Sequence, residues 1–290
     1  MLKELHGDIV KEEIDNSIIS SVTKLNDEGI IPKIAIIRAK ENSGLIYYEK
    51  AILRQCKAYN IESQLISFPE DVSQKELENK LHEINMDKSV HGIILLRPFP
   101  SQINEDRLNN IIHPSKDIDA VTDISIAGLF TGKKDIYLPC TANSCMEFLK
   151  HYGISVEGKK VTIIGRSLTV GKPLSVLMLA ANATVTVCHS KTTQEDQIAA
   201  CKNADIVVLA TGKVEGYGTE YFRDGQIVLD VGTGTGKDGK MHGDLDMREI
   251  QESDIIKDFT YTPVPGGIGK VTTAILLRNI IKSAGMYKEK

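Results

Sequence analysis

At 290 residues and 31.9 kDa the chain is longer than the ~100–200 residues of one ordinary domain, so two domains or one large α/β unit are expected. Lysine plus arginine number 35 against 39 for aspartate plus glutamate, and a net charge of −4 excludes a general nucleic-acid or membrane-surface binder. With 41% hydrophobic and 26% charged residues the chain can bury a real core, which excludes wholesale disorder.

Short β-branched runs at 33–38, 64–68 and 92–96 predict strands, with amphipathic helices at 45–58 and 73–84. Near-continuous apolar strands separated by helices read as parallel sheet with right-handed crossovers. These first units form one layered α/β domain. The pattern breaks at 122–139, where Gly128, Gly132 and a Lys-Lys-Asp turn intervene. A second α/β domain follows from about 156 to 261, with strands at 161–164, 184–188, 206–209 and 227–231 and a helix at 174–181. A last helix, 271–284, follows a Pro/Gly loop and is expected to return to the first domain. The five cysteines are odd in number and contain no Cys-x-x-Cys pair, so neither a disulfide framework nor a zinc site is indicated. No apolar run approaches membrane-spanning or signal-peptide length, so a cytoplasmic location is expected.

The sharpest local feature is Gly165-Arg166-Ser167-Leu-Thr-Val-Gly171-Lys-Pro173, directly after a buried strand. A strand, a polar turn and a helix opening near Pro173 aim backbone N–H groups at an anion, as a dinucleotide pyrophosphate requires. The spacing departs from Gly-x-Gly-x-x-Gly, and a tight connection without ligand has the same local sequence. The next strand ends in Cys188-His189-Ser190-Lys191, where an NAD site usually carries an acid. A hydroxyl and a cation there, with Arg166 nearby, suit a 2′-phosphate and favour NADP. Two other patterns are discounted. Gly232–Lys237 lacks the glycine and the hydroxyl of a P-loop, because Val231 and Asp238 fill those places. His242, Asp244 and Asp246 alternate like metal ligands but read better as a solvated turn, so no metal is expected.

Taken together, the motifs resemble the bifunctional methylenetetrahydrofolate dehydrogenase/cyclohydrolase family along essentially the whole chain. The residues that carry it are Gly165-Arg166-Ser167 through Pro173, His189-Ser190-Lys-Thr192, Asp230-Val231-Gly232, Gly243-Asp244, Lys116-Asp117-Ile118-Asp119, Pro139-Cys140-Thr141 and Thr262-Pro-Val-Pro265-Gly266-Gly267-Ile-Gly269. The resemblance implies a three-layer α/β catalytic domain (1–121 plus 271–290), a Rossmann-type NADP-binding domain (139–270), a C-terminal helix returning to the first, and an active site in the cleft between them. It implies oxidation of 5,10-methylenetetrahydrofolate with NADP, hydrolysis of the methenyl product to 10-formyltetrahydrofolate, and a homodimer. By analogy Gly165, Arg166, Ser167, Ser190 and Thr233 bind the cofactor, Tyr48 and Asp119 the folate, and Pro265, Gly266 and Gly267 form a loop over the substrate.

The departures cluster on the folate side. Family members carry Tyr-x-x-x-Lys on the first catalytic helix, and aligning through Tyr48 puts Ile52 at the lysine. Lys50 lies about 160° from Tyr48 around a helix and points away. The family's glutamine is Leu96, followed by Arg97. Leu45 stands for a serine, Ala120 for the glycine after Lys-Asp-x-Asp, and Lys270-Val271 for Pro-Met. Ile and Leu can neither transfer a proton nor orient water, so the cyclohydrolase step is expected to be weak or lost. Hydride transfer rests on placing two rings face to face and can survive. Two alternatives stay open: a bifunctional enzyme in which Lys40 or Arg97 substitutes, and a non-catalytic NADP-binding homologue.

Overall fold

The structure, a computed structural model, describes residues 1–41 and 43–286. Its strands are β1 Leu2–Glu4, β2 Lys33–Arg38, β3 Glu62–Ser67, β4 Gly92–Leu95, β5 Lys160–Ile164, β6 Thr184–Cys188, β7 Ile206–Leu209, β8 Gln226–Asp230, β9 Gly234–Thr235, β10 Met241–His242 and β11 Phe259–Tyr261. Its helices are α1 Gly7–Asp27, α2 Ser43–Ala58, α3 Gln74–Met86, α4 Glu105–Ile111, α5 Asp123–Phe130, α6 Cys140–His151, α7 Gly171–Ala180, α8 Gln194–Asn203, α9 Met247–Gln251 and α10 Ile268–Met286. Two compact units emerge, one of residues 13–138 with 273–286, the other of 1–12 with 139–272.

The unit of 13–138 is built on a parallel sheet ordered β3-β2-β4. Its central strand is apolar over 34–37 because neighbours and helices cover both faces. Ala35, Ile37, Ile93 and Leu95 pack with Leu77 and Leu81 of α3 and Leu108 of α4. Ser73 and Glu76 close a capping box at the start of α3. The 273–286 part of α10 belongs here, as the sequence implied. Asn279 Nδ2 donates to Ile118 O at 2.8 Å, and the single Ser283 hydroxyl proton is shared between His91 O at 2.5 Å and Ser115 O at 2.8 Å.

The other unit carries a six-stranded parallel sheet ordered β1-β11-β8-β7-β5-β6. Val207, Leu209, Val228 and Phe259 fill its core with Tyr217 and Phe222. Three expectations change. Residues 1–12 group with 139–272 rather than with the first domain, because β1 pairs in register with β11, Leu2 opposite Phe259. The segment read as a break contains α5, whose start is capped by Thr122 Oγ1 accepting from Ser125 N. The helix expected to open near Pro173 starts at Gly171. All five cysteines are free and buried, and among the described residues no helix is long and apolar enough to cross a membrane.

Candidate functional site

Because β5 to β8 run parallel, the loops that follow them gather at one carboxyl edge of the sheet. Gly165, Arg166 and Ser167 follow β5, Ser190 follows β6, Thr211 and Gly212 follow β7, and Thr233 follows β8. At the first of these the chain folds back tightly. Gly165 takes φ +131°, and a Cβ there would lie 2.3 Å from Ala210 O. A Cβ on Gly171 would lie 2.0 Å from Gly165 O, so only two glycines fit this approach. Ser167 Oγ accepts from Val170 N at 3.1 Å, and Ser167 O accepts from Lys172 N at 3.1 Å. Arg166 and Ser167 are exposed beside the start of α7, whose first N–H groups have no partner inside the helix. That is a cradle for a phosphate group.

Ser190 and Lys191 are exposed in a turn that His189 fixes. Its backbone N donates to Thr192 Oγ1 at 3.0 Å, and its Nδ1 accepts from Lys191 N at 3.2 Å. Thr233 is exposed. Behind it lie two buried carboxyls. Asp230 accepts from Asp244 N and Leu245 N at 3.0 Å each, while Asp244 Oδ2 accepts from Thr211 N at 2.7 Å and Gly212 N at 3.2 Å. Together they tie the loops after β7 and β8 to one another. Burial, and to a lesser extent the Asp244 charge, push the Asp230 carboxyl up to about 7 against the pull of its N–H donors. His242 lies between Glu215 and Asp238, and Asp246 caps α9, so the alternating acids of this segment point to separate structural tasks.

The loop 263–267 follows β11. Pro265 is exposed, Gly267 is buried, and Gly266 takes φ +121°. Gly7 N donates to Gly266 O at 2.8 Å.

In the other unit Tyr48 is half-buried on α2 and Ile52, one turn on, is 0% exposed. Lys50 is exposed, as the helical geometry requires. Leu96 is buried beyond β4, its N–H held by Ile37 O at 2.8 Å. Ile52 and Leu96 are thus packed, apolar interior. Arg97 is occupied: Nε pairs with Glu105 at 3.0 Å and a second nitrogen donates to Asn109 Oδ1. Lys40 is half-buried in the turn after β2.

Sequence reasoning missed a neighbouring pair. Arg38, last residue of β2, has Nε 2.6 Å from Glu49 of α2, and both are buried. It is an ion contact rather than an aligned hydrogen bond. The signal was present: Leu45, Glu49 and Ile52 fall at i, i+4 and i+7, and a carboxylate on that stripe demands a cationic partner.

Lys116 and Asp117 hold the loop that presents Asp119. The Lys116 ammonium donates to Ile84 O, Asn85 O and Asp87 O at 2.6–2.9 Å, supplying the cation that the last turn of α3 lacks. Asp117 accepts from Val121 N, Thr122 N, Thr122 Oγ1 and Ser125 Oγ. Asp119 is half-buried. Ala120 sits at φ +54°, a left-handed conformation costing an L-residue about 1–2 kcal/mol. Ala120→Gly is therefore expected to raise the denaturant midpoint by about 0.5–1 kcal/mol of stability, net of the greater freedom of unfolded glycine. A lowered midpoint would show that the strain is absent.

Sequence models of two adjoining domains match the chain. They are the catalytic domain of tetrahydrofolate dehydrogenase/cyclohydrolase at residues 5–119 and its NAD(P)-binding domain at 139–288. The chain is 41% identical over 279 residues to the bifunctional protein FolD of Clostridium kluyveri, covering 96% of each. It is 39% identical to that of Clostridium botulinum strain Langeland, covering 98% of this chain and 99% of the relative. Its structure is similar to that of the bifunctional FolD of Campylobacter jejuni, with TM-score 0.92, 35% identity and 99% of each chain covered. It is also similar to the Trypanosoma brucei FolD complexed with NADP cofactor and inhibitor, with TM-score 0.92, 27% identity and coverage of 99% and 98%.

Proposed function

The chain belongs to the tetrahydrofolate dehydrogenase/cyclohydrolase family, and from that premise we propose that it oxidises 5,10-methylenetetrahydrofolate to the methenyl form with NADP, its cyclohydrolase step being weak or lost. The observation that carries this reading is a contrast. The glycine turn of Gly165 and Gly171 is intact, whereas Ile52 and Leu96 are buried hydrocarbon.

Bound NADP supplies the hydride acceptor. Gly165 admits the phosphates to the backbone, and Ser167 and the start of α7 offer N–H and O–H donors. Arg166 and Ser190 take the 2′-phosphate, and Thr233 lies along the same edge. Tyr48 and Asp119 are the side chains assigned to the folate, and Pro265, Gly266 and Gly267 are assigned as a substrate loop. In this reading the protein works in the cytoplasm as a homodimer. β6 is the outer strand of its sheet, and this reading assigns its backbone edge to pairing with a second copy.

Reduced cofactor formed from 5,10-methylenetetrahydrofolate tests the reading, with NADP and NAD compared. Arg166→Ala is expected to weaken NADP by about 10–30-fold and to leave NAD nearly unchanged, the worth of one charge-assisted hydrogen bond. Equal use of both cofactors by the unmodified protein would remove the NADP preference, and absence of any turnover would remove the folate assignment. A bifunctional enzyme with rearranged catalytic groups is the second reading, favoured by relatives at 41% and 39% identity that are named bifunctional.

A further inference from the structure

We infer that the first turn of α1 clamps the Pro265–Gly267 loop, with Asp8 and Lys270 as positioning residues for the substrate assigned to this loop; the inference rests on the substrate reading above. The loop has two consecutive glycines, the residues with the most backbone freedom to lose, so its shape needs outside support. The support comes from residues 1–8. β1 lies beside β11, Leu5 N donates to Tyr261 O at 2.8 Å, and Tyr152 Oη donates to His6 O at 2.8 Å. This segment is therefore fixed to the sheet from which the loop departs.

Two contacts then bracket the loop. At its centre Gly7 N donates to Gly266 O, and a Cβ on Gly7 would lie 2.2 Å from Gly267 O, so the two backbones meet without a side chain between them. At its exit Lys270 Nζ lies 2.6 Å from both oxygens of Asp8, the acid in the first turn of α1, where a negative charge also suits the helix dipole. Lys270 N donates to Gly267 O at 3.2 Å, so the ion pair and the loop share a backbone tie. The charge pair thus holds the exit of the loop to the first turn of α1.

The side chains of Lys270 and Asp8 are 42% and 62% exposed. An ion pair that open to water adds little to global stability and is screened by salt. Its effect falls on the arrangement of the loop, which makes it separable from folding.

Asp8→Asn and Lys270→Gln, each alone, are expected to raise KM for 5,10-methylenetetrahydrofolate about 3–5-fold with kcat little changed, and to speed amide exchange at Gly266–Ile268. Raising salt is expected to lift KM of the unmodified protein toward that of the variants while leaving the variants in place. The exchanged pair Asp8→Lys with Lys270→Asp is expected to bring both KM and exchange back toward the starting values. Single variants with unchanged KM and unchanged exchange overturn the clamp, and so does an exchanged pair that behaves like the singles. If the unmodified protein turns over no folate, the substrate reading falls, and the exchange comparison alone upholds or overturns the clamp.

Discussion

Methenyltetrahydrofolate added to the protein is expected to hydrolyse no faster than in buffer, while NADP-linked oxidation of the methylene form proceeds. Removing a positioned acid–base group typically costs ~10²–10⁴-fold, about 3–5 kcal/mol of barrier. Ile52 offers no proton and no hydrogen bond, and Leu96 cannot orient water. The nearby cations do not replace them. Arg97 is committed to Glu105 and Asn109, Arg38 to Glu49, and Lys50 is on the outer face of α2. That leaves Lys40, so Lys40→Met separates the readings. Hydrolysis well above the buffer rate that disappears in Lys40→Met establishes a relocated amine, and hydrolysis that persists there defeats both ideas.

The reverse substitution argues the same point. Ile52→Lys with Leu96→Gln is expected to raise hydrolysis at least tenfold over the unmodified protein, and Ile52→Lys alone much less, since the buried ammonium then lacks its amide partner. The single variant is also expected to lose roughly 3 kcal/mol of stability, because an unpaired charge enters a site with no solvent access. Following reduced cofactor and methenyl product separately gives both quantities in one experiment.

What could be read from sequence follows the range of the interactions. β2, β6 and β7 fall where their apolar runs predict, because each run is bounded by local turn signals. The glycine spacing marks the phosphate turn for the same reason. β1 is three exposed residues whose only claim to be a strand is Phe259–Tyr261, far along the chain. α5 was hidden by Gly128 in its interior, although Thr122 and Ser125 form a legible cap. Glu49 advertised a partner without naming it. The Asp8–Lys270 pair, 262 positions apart, left no local trace at all.

Lys116→Met is expected to cost roughly 3 kcal/mol of stability and to raise KM for the folate more than it lowers kcat. The side chain is 1% exposed, and all three ammonium donors are spent on backbone carbonyls at the end of α3. Methionine fills the same space and leaves those carbonyls without a cation, so the loss is electrostatic rather than steric. Burial pulls the Lys116 pKa down while the Asp87 carboxylate pulls it up, so the carbonyl contacts and Asp87 are what offset the cost of burying the charge. The same residue starts the segment in which Asp117 gathers four donors and Asp119 is half-buried. Loosening it therefore reaches Asp119, the side chain proposed to bind the folate, through two residues of backbone. Denaturant midpoints and KM, measured well below the melting range, keep the two consequences apart. An unchanged midpoint would mean that the carbonyls find water once the ammonium is gone. A lowered midpoint with KM intact would mean that Asp117 alone fixes the loop.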